Sequence, residues 1–244
     1  MPDARRFVFG RPVQGQRALW LAAADGSDPR QLASEGTAVW PAISADGRRL
    51  VFFGDRGADN GIWHSEVDGT NPRLLAKVAD ASSIVFAPDQ KSVYFTSSIG
   101  GAPATYSLSV DGGTPILVAP LLERAGVSHD GRLLAGIYRE HARAPLTLAV
   151  VDVQTGKPVT VFADYTSASG SGAIAWAPDD KAIIYSTSER TNVWRRSLAD
   201  GKETRVTNFT DLAIIRFALS PDGRTLLLSR GTTLRDAFLI SGFR

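Results

Sequence analysis

Three histidines, no cysteine and 25 aspartates and glutamates are what this 244-residue chain offers to a metal ion. His64, His129 and His141 stand far apart, and none forms a pair at ligand spacing with another. Without cysteine there is neither a disulfide scaffold nor a thiolate zinc site. The run Asp55-Arg56-Gly57-Ala58-Asp59-Asn60-Gly61 is rich in oxygen donors. A calcium loop, however, alternates more acidic ligands and ends on a distant carboxylate. The run therefore reads as a solvated loop joining two strands. No Gly-x-Ser-x-Gly elbow presents a nucleophilic serine, and no Gly-x-x-x-x-Gly-Lys loop cradles a phosphate. The stretch Ser167-Ala168-Ser169-Gly170-Ser171-Gly172 reads as a flexible loop. These patterns point away from an enzyme, with no catalytic residue, metal or cofactor expected.

Binding is the better use of what remains. Tyr138-Arg139-Glu140-His141-Ala142-Arg143 has no counterpart elsewhere in the chain, and long loops on a rigid scaffold are where recognition concentrates. Arg139, His141 and Arg143 are its candidate contact residues. Trp194-Arg195-Arg196 is a second locally basic patch. Lys and Arg number 27 against the 25 acidic residues, a net charge of +2. That is no phosphate-binding excess, so nucleic acid is not an expected partner. No run of 18 apolar residues spans a membrane, and Met1-Pro2-Asp3-Ala4-Arg5-Arg6 lacks the apolar stretch of a signal peptide.

The elements that must carry these residues are set by a repeat. A short turn motif recurs as Ser44-Ala45-Asp46-Gly47-Arg48, Ala87-Pro88-Asp89-Gln90-Lys91, Ser128-His129-Asp130-Gly131-Arg132, Ala177-Pro178-Asp179-Asp180-Lys181 and Ser220-Pro221-Asp222-Gly223-Arg224. Pro2-Asp3-Ala4-Arg5 opens the chain as another copy. The aspartates at 3, 46, 89, 130, 179 and 222 are 41 to 49 residues apart. Proline presets an early turn position, aspartate accepts from amides two residues on, and glycine takes positive φ.

An apolar triplet follows each turn: Phe7-Val8-Phe9, Leu50-Val51-Phe52, Val93-Tyr94-Phe95, Leu134-Ala135-Gly136, Ile183-Ile184-Tyr185 and Leu226-Leu227-Leu228. The fourth is the weakest copy. Such runs between turn signals read as strands buried on both faces. A second strand then brings an aromatic at Trp20, Trp63, Tyr106, Trp194 or Phe238, with Thr147 and Leu148 in the irregular copy. Asp25-Gly26, Asp68-Gly69, Asp111-Gly112 and Asp200-Gly201 mark a second hairpin, with Thr155-Gly156 in its place once. Four antiparallel strands in about 43 residues bury both faces only by stacking radially. The expectation is one all-β domain over residues 1–244: a β-propeller of about six four-stranded blades, the first and last incomplete.

The repeat resembles the WD40-like repeat of TolB-type propellers. The clearest copies are Ser220-Pro221-Asp222-Gly223-Arg224, Gly61-Ile62-Trp63 and Asp25-Gly26-Ser27-Asp28-Pro29-Arg30-Gln31-Leu32. The resemblance implies a protein-binding or ligand-sensing scaffold, since the family includes periplasmic proteins that bind partners of the cell envelope. It also implies a rival. Similar propellers accompany hydrolase domains in prolyl-oligopeptidase-like enzymes, and form the C-terminal part of bacterial serine/threonine kinases and winged-helix regulators. The tail Asp236-Ala237-Phe238-Leu239-Ile240-Ser241-Gly242-Phe243-Arg244 is similar to the last two groups. On that rival the chain is the accessory propeller of a longer enzyme. A protein partner, a monomeric state and no direct membrane insertion are expected. The resemblance favours a periplasmic or extracytoplasmic place, and the missing signal peptide a cytoplasmic one.

Overall fold

The computed structural model describes residues 6–13, 15–32, 36–165, 174–186, 191–220 and 223–231. These form a β-propeller with no α-helix among them. Its first sheet holds β1 (Arg6–Val13), β2 (Gln16–Ala23) and β3 (Arg30–Gln31). The second holds β4 (Thr37–Ile43), β5 (Arg49–Asp55), β6 (Gly61–Glu66) and β7 (Arg73–Lys77). The third holds β8 (Ser82–Phe86), β9 (Ser92–Ser97), β10 (Ala104–Ser109) and β11 (Ile116–Pro120). The fourth holds β12 (Leu122–Val127), β13 (Leu133–Tyr138), β14 (Thr147–Asp152) and β15 (Pro158–Phe162). The fifth holds β16 (Ile174–Trp176), β17 (Ala182–Ser186), β18 (Val193–Ser197) and β19 (Glu203–Arg205), and the last β20 (Ala213–Leu219) with β21 (Leu226–Gly231).

Each sheet is an antiparallel meander in sequence order. The expectation of about six four-stranded blades is corrected by the strand pairing. Among the described residues four sheets have four strands, one has three and one has two. The expected incompleteness of the end blades involves residues 1–5 and 232–244, which lie outside the described residues, as do Asp3, Asp222, Phe238 and the tail.

Period-2 alternation explains why the sheets stack. In β13, Ala135 and Ile137 join a cluster with Trp176, Ile183 and Tyr185 of the fifth sheet. Leu134, the residue before Ala135, joins Tyr94, Ala119 and Leu122 on the side of the third sheet. In β9 the pattern repeats: Val93 and Phe95 pack with Val51 and Ile62 of the second sheet, and Tyr94 faces the fourth. Both faces of each middle sheet are thus core, which is why the triplets run apolar without a polar partner. The fourth triplet looked weak because its residues are small. A Cβ on Gly136 would lie 2.9 Å from the Glu123 carbonyl oxygen and 2.9 Å from Leu122 Cδ1, so the close approach of β12 demands glycine.

First strands of the first five sheets touch in succession around the axis. Those of the second, third and fourth sheets are bulged, with Trp40 at φ 56°, Ser83 at φ 51° and Arg124 at φ 57° inside the register shifts. Bulges re-aim side chains. Arg216 of β20 lies 4.5 Å over the ring of Trp40 of β4, so the last sheet bridges to the second.

Candidate binding site

Meander topology divides the loops between two ends of the propeller. The Asp-containing turns after β4, β8, β12 and β16 lie at one end. The loops joining second to third strands lie at the other, and there the fourth sheet differs from its neighbours. Its β13–β14 loop spans 139–146, against 56–60 for β5–β6 and 98–103 for β9–β10. The extra length forms a turn in which the Ala144 N–H donates to the His141 carbonyl at 2.9 Å.

Beside this turn is a groove of about 280 Å³, lined by Gly101, Ala102 and Pro103 of the third sheet and by Leu121, Glu123, Arg139 and Ala142 of the fourth. Two contacts brace its walls. The Gly100 N–H donates to the Tyr106 hydroxyl at 3.1 Å, holding the β9–β10 loop. The Arg139 N–H donates to the Leu121 carbonyl at 3.1 Å. Leu121 alone connects β11 to β12 and takes φ 59°. The Arg139 side chain is 33% exposed, and its nearest carboxylate is Glu123, 16% exposed, with Nε 3.9 Å from Oε1. That separation is beyond hydrogen-bond reach.

Of the three sequence candidates, the structure puts Arg139 in the groove wall. His141 and Arg143 are exposed on the adjoining turn and do not line the groove. Sequence reasoning missed Glu123, Leu121 and the 101–103 wall, because no local pattern joins residues of two sheets.

The other candidates resolve into structure. The Trp194-Arg195-Arg196 patch is not a free basic surface, because the Arg196 side chain is only 3% exposed. Its guanidinium forks onto both Asp164 oxygens and lies 4.6 Å over Phe162 of the fourth sheet, with Glu203 at 3.4 Å. The Arg196 hydrogen bonds hold the Asp164 carboxyl below the usual carboxylate range. Burial, then the Asp164 charge, pushes Glu203 up, and the Tyr185 hydroxyl donates to it.

In the oxygen-rich 55–61 run, Asp59 pairs with Lys77 at 2.8 Å. Among the described residues no three His, Cys, Asp or Glu side chains gather as a metal site. His64 lies in β6, where burial first and Arg73 second lower its pKa. The ring and the backbone N–H of His129 both meet Asp180 of the fifth sheet. The Ser167–Gly172 stretch lies outside the described residues.

Comparison with solved structures gives the same class of fold. TolB from Acinetobacter baumannii superposes with a TM-score of 0.68 at 18% identity, over 94% of this chain and 52% of its own. A TolB-type protein from Agrobacterium tumefaciens gives 0.67 at 19%, over 84% and 74%. A puromycin-hydrolyzing peptidase of Mycobacterium tuberculosis gives 0.59 at 18%, over 82% and 36%. No protein-family model and no curated protein sequence matches the chain. The likeness is one of fold: the chain is a β-propeller similar in fold to TolB, and it spans about half the length of the Acinetobacter protein.

Proposed function

We propose that this propeller is a non-catalytic binding scaffold, holding a protein partner on the end that carries Arg139, His141 and Arg143. The observation that carries this reading is the groove between the third and fourth sheets. One sheet supplies Ala102 and Pro103, and the other supplies Arg139 from the longest second-to-third-strand loop whose residues are all described. Stacked sheets fix both walls, so a partner meets a preformed surface and loses little to ordering it. The test is affinity capture with the whole chain as bait, beside two triple-alanine baits. One alters Arg139, His141 and Arg143. The other alters Arg48, Lys91 and Arg132, all exposed at the opposite end. The reading requires a partner retained by the second and lost by the first. Equal retention by both contradicts it.

A second reading rests on the likeness to the peptidase, of which this chain matches about a third. In it the propeller is the accessory domain of a longer enzyme, a bacterial serine/threonine kinase or a prolyl-oligopeptidase-like peptidase, and the same end faces the catalytic domain. Reading the gene on both sides of this segment tests it. A fused catalytic domain supports it, and stop codons at both ends remove it.

A further inference from the structure

We infer that the groove between the third and fourth sheets seats an acidic side chain of an extended peptide, with Arg139 as its anchor. This rests on the loop-face reading and names the chemistry of the partner. No described residue accepts a hydrogen bond from the Arg139 guanidinium, and its nearest anion stays 3.9 Å away. Guanidinium presents a planar fork that matches a carboxylate with two parallel hydrogen bonds. Here the Arg139 side chain is two-thirds covered by protein, where a charge-assisted bond is less diluted by water than at an open surface.

The remaining walls fix the rest of the ligand. Ala102, Pro103, Leu121 and Ala142 are apolar and uncharged, suited to the aliphatic part of a side chain. Glu123 is an acceptor, and a peptide N–H is the donor that an extended segment brings beside its own carboxylate. Glu140 and Arg143, both exposed in the same loop, offset each other, and Glu123 already faces Arg139, so a polyanion is a poor occupant and one acid flanked by amides is a good one. The volume of about 280 Å³ falls just below that of ordinary small-molecule pockets, about 300–1,000 Å³. It has room for a side chain or two and not for a nucleotide.

The experiment titrates the isotope-labelled full chain with acetyl-Ala-Ala-Glu-Ala-Ala-amide, and with the same peptide carrying glutamine or lysine, while amide and arginine Nε shifts are recorded. The expected result is movement of Gly101, Ala102, Leu121, Arg139 and Ala142. The glutamate peptide binds at least tenfold tighter than the glutamine peptide. Arg139→Gln brings the two together, and Arg139→Lys restores part of the difference because it keeps the charge without the fork. Shifts centred on the bulged first strands, equal affinity for glutamate and glutamine, preference for lysine, or no shift at all overturns the inference. The broader reading fails separately. If partner capture still depends on Arg139, His141 and Arg143 while the glutamate peptide leaves the groove unmoved, only the carboxylate assignment falls.

Discussion

The carboxylate of Asp180 accepts the His129 backbone N–H at 3.0 Å and lies 2.7 Å from His129 Nδ1, across the seam between the fourth and fifth sheets. Asp180 stands where other copies of the turn motif carry glycine, and keeps φ 53°. One seam earlier but one, Gln90 does the same, accepting the Ala45 N–H at 2.6 Å from φ 61°. The two seams that follow a proline behave differently. Pro88 and Pro178 have no N–H to offer, and the next motif has glycine: Gly131 packs against Pro88 and Gly223 against Pro178. The second residue of one motif thus matches the fourth residue of the next. An N–H meets a side-chain acceptor, and a proline ring meets a glycine.

Removing the acceptor measures the latch. Asp180→Ala leaves the His129 and Asp130 amides without it, and keeps a Cβ at positive φ that the latch no longer offsets. The expected loss is about 1–2 kcal/mol, from hydrogen bonds to a charged acceptor in a partly exposed turn. Asp180→Gly loses the same bonds but suits φ 53°, so it costs less. Urea midpoints of the two variants check the order.

The proline–glycine seams carry a steric prediction. A Cβ at Gly223 would lie 2.4 Å from Pro178 Cγ, while one at Gly131 would lie 3.5 Å from Pro88 Cγ, an ordinary contact. Both positions have positive φ, which costs a residue with a side chain about 1–2 kcal/mol. Gly223→Ala is therefore more destabilising than Gly131→Ala. Adding Pro178→Ala recovers part of the Gly223→Ala loss, and a double-mutant cycle reads the coupling.

The Arg196 network predicts an asymmetry. Asp164→Ala strands a buried guanidinium, although Glu203 stays within 3.4 Å, so the loss falls at the low end of about 3–5 kcal/mol. Arg196→Met leaves Asp164, which is 67% exposed and can return to water. It also fills the space over Phe162. Thermal or chemical unfolding should rank Asp164→Ala below Arg196→Met in stability.

Acid should unfold the chain through its turns. Asp25, Asp46, Asp68, Asp130, Asp152 and Asp200 all fall below their ordinary value of 3.8, held by Ser or Thr side chains and backbone amides. Between each folded value and 3.8 the unfolded chain binds more protons. Stability therefore rises with pH through that window and is lost as the pH falls through it. Glu203 works in the opposite sense, its share being present below 4.5 and lost as the pH rises through its raised value. Unfolding midpoints measured from pH 6 to pH 2.5 should drop steeply below about 3.8, and less steeply with Asp46→Asn and Asp130→Asn together.

What the sequence made legible was what depends on near neighbours. Asp-Gly hairpins, apolar second strands and third-strand aromatics follow from turn chemistry and period-2 burial, and among the described residues Trp20, Trp63, Tyr106 and Trp194 each fall on a strand. The seam code was invisible, because Gln90 and Asp180 read as lapses from a glycine consensus until the preceding motif is set beside them. Arg196 read as surface for the same reason, since its partner Asp164 lies on another sheet's connection. Arg139 stood out by the singularity of its loop. Glu123 and Pro103, which complete the groove, belong to ordinary copies of the repeat and are brought there only by stacking.

The most direct measurement is hydrogen exchange of the full chain with and without the captured partner. The account predicts slowed exchange in residues 98–103 and 139–146, around Arg139, with the motif turns at 44–48, 87–91 and 128–132 unchanged. Protection confined to those turns, with 139–146 exchanging as in the free protein, would contradict it.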